Sequence, residues 1–232
     1  MTVLTACSSI SLGGAAGFAL QCALGLASVW IDWCISPTTE ANLSRLAAHG
    51  YGRHSILVFM LVNLVSTNAL VALIAAHFQC FEAPLRLDGA LAAAVGTNLA
   101  ASELAFTVGH YLLHKSRTLA PFHVLHHCCR PCSWSSNLLF HPLDMAIEFT
   151  GPFLVLLATH QLIWRDPLAL LVSLTVLHTW YAVDHSENAR LYHYYHHKHI
   201  DAVYTIYIRV RFGRQGETAA VDQVKLLLEK GA

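Results

Sequence analysis

The sequence predicts an all-α integral membrane protein with four to five transmembrane or re-entrant helices. Hydrophobic residues make up 55% of the 232-residue chain and charged residues only 12%, whereas an ordinary soluble domain carries about 25% charged residues. The mean hydropathy is +0.48. Five long apolar runs argue against a soluble protein with a helical core. In lipid, backbone N–H and C=O groups must form their hydrogen bonds within the protein, which favours helices. We expect residues 1–232 to form a single membrane-embedded domain.

The apolar runs cover residues 10–31, 55–78, 89–113, 145–164 and 167–183. The first has 22 residues; at ~1.5 Å per residue it extends about 33 Å as a helix, enough to cross a hydrocarbon core of about 30 Å. The fifth has 17 residues and is separated from the fourth only by Arg165 and Asp166. This last pair is therefore expected to form a full or a partial hairpin.

The basic residues orient these segments. Alternating the helices across a membrane places residues 32–54, 114–144 and 184–232 on one side. That side holds 12 of the 14 lysines and arginines, and only Arg86 and Arg165 lie opposite. Basic residues near helix ends favour the cytoplasmic side. The sequence therefore predicts that these three segments, including the C-terminus, are cytosolic.

Composition also argues against several other classes of protein. Fourteen basic residues balance 14 acidic ones, so we expect no nucleic-acid partner. Cys129 and Cys132 form a lone CxxC, and neither a zinc ribbon nor a redox motif is expected without a second pair or a thioredoxin-like context. In the tail, residues 203–212 are predicted as a strand or interfacial ribbon. Residues 217–229 are predicted as a short amphipathic helix that packs at the membrane surface.

Histidine is unusually frequent, with 16 residues. His110 and His114 are four residues apart at the end of the third apolar run, so they share a helix face. Two HxxHH motifs follow, and His178 and His185 precede the second of them. The predicted topology brings all these residues to the cytoplasmic helix ends. The two motifs consist of His123, His126 and His127, and of His193, His196 and His197.

Clustered imidazoles of this kind indicate a metal site. Neutral imidazole is the commonest metal ligand, and nine or ten of them suggest two ions, with iron, zinc, copper and nickel all compatible. The scarcity of carboxylates near these histidines argues against magnesium or calcium. It also distinguishes this site from soluble di-iron bundles, which use Glu and Glu-x-x-His ligands. Glu103 lies seven residues before His110 and is a candidate to orient a ligand imidazole.

Taken together, these motifs resemble the fatty acid hydroxylase and sterol desaturase superfamily. Residues 103–131 (ELAFTVGHYLLHKSRTLAPFHVLHHCCRP) resemble its first two histidine boxes, and residues 140–144 (FHPLD) resemble its His-Pro step. Residues 183–186 (VDHS), followed by residues 193–199, resemble the sterol methyl oxidase and sterol hydroxylase branch. The resemblance covers about residues 90–205 of the chain.

The resemblance implies a membrane di-iron monooxygenase or desaturase of the endoplasmic reticulum, which uses O₂ and two electrons to attack a sterol or fatty acyl lipid. It implies two iron ions, which zinc can replace in a structure. It also implies electrons from NAD(P)H, delivered by cytochrome b5 or its reductase. The implied metal ligands are His110, His114, His123, His126, His127, His185, His193, His196 and His197, with His178 as a tenth. His141 is expected to be structural or to donate to a ligand.

Two other classes of protein remain open from the residues alone. A zinc-dependent membrane hydrolase would bind metal but need neither O₂ nor a reductant. A non-catalytic metal transporter or sensor would place polar residues along the middle of several helices, for which Asn63, Asn68 and Asn98 are the available candidates.

Overall fold

The computed structural model describes residues 39–80, 83–130, 132, 136, 138–185, 192–200 and 222–230, together with positions 23, 26 and 27. Within these ranges every regular element is helical, which confirms the predicted all-α class. The apolar run 10–31 and the tail segment 203–212 lie outside the described residues. The elements are α1 (Thr39–Ala48), α2 (Arg53–His77), α3 (Gly89–Lys115), α4 (Ala120–His127), α5 (Pro142–Trp164), α6 (Pro167–Val183), α7 (Tyr192–His199) and α8 (Gln223–Lys230).

Three described helices, α2, α3 and α5, are long and apolar enough to cross a membrane. They match three of the predicted apolar runs to within a few residues. The fifth run matches the shorter apolar helix α6. Leu57, Leu61 and Leu104 are 53%, 48% and 66% exposed, and they lie on the long helices α2 and α3. Exposed apolar side chains on such helices are suited to contact with lipid.

The α5–α6 pair forms a hairpin whose turn lies at the start of α3. Asp88 caps α3 and Asp166 caps α6 by accepting hydrogen bonds from first-turn backbone N–H groups. Arg86 forms ion pairs with both carboxylates, at 3.2 Å to Asp88. The beginnings of α3 and α6 therefore lie together at one end of the bundle. This places His110 and His114, in the last turns of α3, at the opposite end.

Described parts of the three predicted polar segments lie together at the histidine end. The backbone N–H of Arg130, after α4, donates to the side chain of Asn42 in α1 at 2.9 Å. Val224 of α8 is fully buried against Val124 and Leu125 of α4. Of the tail helix predicted over residues 217–229, residues 223–229 are helical in α8, and residues 217–221 lie outside the described part of the chain. The interpretation of its apolar face as membrane-surface packing is wrong for Val224. The face of α4 that carries Val124 and Leu125 supplies a protein surface for it instead.

The hydrophobic core holds α3, α5 and α6 together directly beneath the histidine end. α3 packs along both α5 and α6. Burying one large apolar side chain between such helices contributes roughly 1.5–3 kcal/mol to the stability of the fold. The buried side chains that join the three helices include Phe106, Phe149, Phe153, Leu174 and Tyr181.

The helix α5 is interrupted, which the prediction of one regular helix over residues 145–164 did not anticipate. Its first turn, Pro142–Met145, is followed by a π-helical turn over Ala146–Thr150, and a second π-helical turn closes the helix. Pro152 has no N–H, so it cannot donate to the carbonyl of Glu148 four residues earlier. The hydroxyl of Tyr181 in α6 donates to that carbonyl at 2.8 Å. The wide turn is therefore fixed by proline and held by the neighbouring helix.

Candidate metal centre

Nine of the ten histidines proposed as ligands meet in one buried region. Eight of them form two groups of four, and within each group one ring nitrogen per residue lies within 4.8 Å of the others. All eight side chains are at most 2% exposed. His123 lies beside both groups. The first histidine group is His110, His114, His127 and His196; the second histidine group is His126, His185, His193 and His197.

The two HxxHH motifs are each divided between the groups. Successive residues on an α-helix are rotated by about 100°, so adjacent histidines point in different directions. In α4, His127 joins the first group and His126 joins the second; in α7, His196 joins the first group and His197 joins the second. Each motif therefore supplies ligand candidates to two neighbouring positions.

Distances within the groups fit coordination of a metal ion. The Nε2 atom of His114 lies 3.2 Å from that of His110 and 3.0 Å from that of His196. In the second group, Nε2 of His126 lies 3.1 Å from that of His185 and 3.0 Å from that of His197. Metal–nitrogen bonds of about 2.0–2.1 Å separate neighbouring ligand nitrogens by about 3.0 Å at right angles and about 3.4 Å in a tetrahedron. The spacing therefore fits one ion in each group.

Carboxylates fix the orientation of three of these imidazoles. The Nδ1–H of His114 donates to Asp222 at 3.1 Å, and that of His123 donates to Asp144 at 3.0 Å. The Nδ1–H of His185 donates to Asp184 at 2.6 Å. The carboxylates therefore hold these rings with Nε2 directed into the centre, an arrangement that is common around metal-bound histidines.

The same hydrogen bonds make an interior cation favourable. A neutral imidazole that donates its Nδ1–H carries a lone pair, and no hydrogen, at Nε2. The Nε2 atoms of His114 and His123 lie 3.2 Å apart, so two lone pairs face each other in a region closed to water. Two facing lone pairs repel each other, whereas a cation between the two nitrogens would be bound by both of them.

Burial lowers the pKa of His126, His127 and His196 well below its ordinary value, and neighbouring imidazoles lower it further. In the unfolded chain the same groups titrate near 6.5, so below that pH unfolding takes up protons and the folded state loses stability. We expect bound metal to be retained at neutral pH and lost in acid with a midpoint below about 6.5. Metal content and thermal unfolding of the purified protein across this range check it. A midpoint above 6.5, or stability that rises on acidification, would contradict imidazole ligation.

The remaining predicted residues are placed as follows. His178 belongs to neither group; its ring lies 6.4 Å from that of Phe149. The imidazole of His141 accepts a hydrogen bond from the backbone of Leu143 at 3.2 Å and caps the start of α5, which fits its predicted structural role. Glu103 is buried in α3, and its suggested role in orienting a ligand remains a prediction.

Four carboxylates of the site were not assigned a role from the sequence, namely Asp144, Glu148, Asp184 and Asp222. Glu148 groups with His110 and His123 in a third set of possible ligands. Its signal in the sequence is the proline four residues later, which predicts a break in the regular helix at this point. Asp222 contacts His114 across 108 positions of the chain, and no spacing rule connects the two.

Asp222 offers a test of orientation, because its Oδ1 also accepts from the Lys225 backbone and so caps α8. Asp222→Asn keeps a residue that caps helices well but removes the charge that faces His114. We expect it to weaken metal binding at the first histidine group by about 10–100-fold and to leave the second group unchanged. Asp184→Asn should show the opposite selectivity in the same metal titrations. Equal effects of both variants on both groups would contradict local orientation.

In comparisons with family models, curated proteins and solved structures, nothing matches the chain. The geometry of the centre therefore carries the argument for function.

Proposed function

We propose that the protein is a membrane-bound di-iron oxidoreductase that uses O₂ and two electrons to hydroxylate or desaturate a lipid, either a sterol or a fatty acyl chain. The observation that carries this proposal is the pair of buried four-histidine groups at one end of helices long enough to cross a membrane. The proposal includes membership of the fatty acid hydroxylase and sterol desaturase superfamily, which rests on the motifs quoted above.

The donor set supports iron. Imidazole suits iron, zinc, copper and nickel, and the grouping of His110 and His123 with a carboxylate adds a hard oxygen donor. Iron in both groups would supply the redox chemistry that an unactivated C–H bond requires. The histidines would hold the ions, and Asp144, Asp184 and Asp222 would hold the imidazoles of His123, His185 and His114 with Nε2 directed at them.

The surroundings of the centre support a lipid substrate. The ligand candidates are almost fully buried, so the chain excludes water from the place where the reaction would occur. Leu104 and Leu112 are exposed on α3, the helix that carries His110 and His114. An apolar molecule in the bilayer would therefore meet an apolar surface on the helix that leads to the centre.

The partners and the location belong to the same proposal. The sequence has no Gly-rich dinucleotide fingerprint, so we propose that electrons from NAD(P)H arrive through cytochrome b5 or its reductase. We place the protein in the endoplasmic reticulum membrane with four to five transmembrane or re-entrant helices and the histidine end in the cytosol. The location of 12 of the 14 basic residues in the segments predicted on that side supports the orientation.

Oxygen consumption tests the proposal. Purified protein loaded with iron is given a chemical reductant and either sterol or fatty acyl lipid; we expect O₂ uptake and an oxidised lipid product, both dependent on iron. The double variant His126→Ala with His196→Ala is the matched control. Metal-bound protein that consumes no O₂ with any lipid would contradict the proposal. Lipid hydrolysis by zinc-loaded protein without O₂ would indicate a hydrolase, and metal uptake into liposomes would indicate a transporter.

A further inference from the structure

Glu148 lies between the two histidine groups. Its Oε1 atom is 3.5 Å from Nε2 of His110 and 3.7 Å from Nε2 of His123, while its Oε2 atom is 4.0 Å from Nε2 of His126 in the second group. The side chain is 2% exposed. Its two oxygens therefore face different groups, which no other described carboxylate at the centre does.

The described contacts give the Oε1 atom of this carboxylate no structural hydrogen bond. Oε1 is buried and has no hydrogen-bond partner among the described residues. Asp144 and Asp184, by contrast, accept from the Nδ1–H groups of His123 and His185, on the outer side of those rings. An unpaired ionised carboxylate is costly in a buried site. Cations next to its oxygens would offset this cost of burying Glu148.

The backbone shows how this position arises. The π-helical turn Ala146–Thr150 widens α5 at Glu148, and Tyr181 holds the Glu148 carbonyl from α6. Single π-helical turns are frequent at functional sites because they redirect a side chain out of the regular helical path. The turn and its anchor therefore direct one carboxylate at the space between the groups.

Charge balance points in the same direction. Two divalent ions would place four positive charges in a buried site, where unpaired charges are strongly unfavourable, and the three aspartates on the outer side of the rings are fewer than these charges. Glu148 would offset part of that charge at the point where it reduces the repulsion between the two ions. We propose that Glu148 is a carboxylate ligand shared by both metal ions, with one oxygen directed to each histidine group. This inference rests on the dinuclear centre of the proposed function but not on lipid oxidation.

Manganese alone provides the probe. Full-length protein is loaded with Mn(II) in the absence of lipid, reductant and O₂, the metal content is measured, and the EPR spectrum is recorded. We expect two ions per chain with the spectrum of a spin-coupled pair in the unaltered protein. In Glu148→Gln, which keeps the shape but removes the charge, we expect spectra of isolated ions or loss of one ion. Glu229→Gln, an exposed carboxylate of α8, is the control and should leave the coupled spectrum intact.

Glu148→Asp separates a shared ligand from a merely negative neighbour. It retains the charge but is one methylene shorter, so it should fail to couple the ions, whereas a charge-only role predicts metal content and coupling like those of the unaltered protein. A coupled pair in either Glu148→Gln or Glu148→Asp would overturn the proposal. Two uncoupled ions in the unaltered protein would also overturn it while leaving a dinuclear centre standing. Fewer than two ions there would remove the dinuclear centre on which both proposals depend.

Discussion

Replacing His196 with alanine is expected to remove one of two bound metal ions and to abolish lipid oxidation. His196 is fully buried, and its Nε2 lies 3.0 Å from that of His114 at the centre of the first histidine group. Three imidazoles would remain, with a gap where the fourth had been, and loss of one buried ligand from such a site removes both binding energy and geometry. Metal analysis of the purified variant should give half the metal content of the unaltered protein. Oxygen consumption should fall by at least about 10²-fold.

Two further variants make this result specific. His126→Ala should empty the second group and leave the first group loaded, with the same loss of activity. His178→Ala is the matched control, because this histidine lies on α6 but belongs to neither group; we expect full metal content. All three variants should still insert into membranes, since His126 and His196 lie outside the apolar runs and His178→Ala makes the run 167–183 more apolar. Activity that survives both His126→Ala and His196→Ala would show that the centre is misassigned. Loss of metal in His178→Ala would instead indicate that His178 is the tenth ligand.

Gly109→Val is expected to disrupt the centre without altering any ligand candidate. Gly109 precedes His110 in α3, and a Cβ added there would lie 2.8 Å from Cγ2 of Ile147, in the π-helical turn of α5. Cβ atoms in proteins essentially never show so close a contact, so the Ile147 side chain or the helices themselves must shift, and the two further methyl groups of valine add to the crowding. Overpacking of this kind costs about 1–3 kcal/mol. The larger effect is displacement of His110 and Glu148, because a shift of about 1 Å at a reacting site can reduce the rate 10²-fold.

Another glycine of α3, Gly96, supplies the control. A Cβ at Gly96 meets nothing within 4 Å, so Gly96→Ala should retain metal and activity, and alanine is the better helix former by about 1 kcal/mol. Gly109→Ala carries the same clashing Cβ and should also lose metal, and Ile147→Ala, which removes the methyl group that it meets, should restore metal content to Gly109→Ala. Thermal unfolding and metal analysis measure both effects. A fully metallated Gly109→Val protein of unchanged stability would show that α3 and α5 do not need this close approach.

The helices of the described bundle could be predicted from the sequence because long apolar runs leave few alternatives. The run 167–183 coincides with α6, and the run 89–113 differs from α3 only at its end. The convergence of the histidines followed from the same topology, since alternation of the segments places all the motifs at one end. Spacing alone did not show how the motifs divide, because an HxxHH motif can face one site as readily as two.

The carboxylates of the centre could not be assigned for a different reason. Glu148 depends on a π-helical turn, which changes the face on which a residue lies and defeats the regular helical period. Asp222 depends on the folding of α8 against α4, a contact between distant parts of the chain. Asp184 directly precedes His185, but its role could not be assigned from the sequence, since that role depends on which nitrogen of the ring it contacts.

The hydrogen bond between His114 and Asp222 joins residues 108 positions apart, which has a consequence for biogenesis. Transmembrane helices insert individually before they associate, so α3, if it spans the bilayer, would enter it before its distant partner has been synthesised. A metal ion at the first histidine group would then join helices that are already inserted. At a hundredfold excess over its dissociation constant it would add about 2.7 kcal/mol of stability. Cells starved of the metal would hold inserted but loosely assembled chains, which are targets for quality-control proteases.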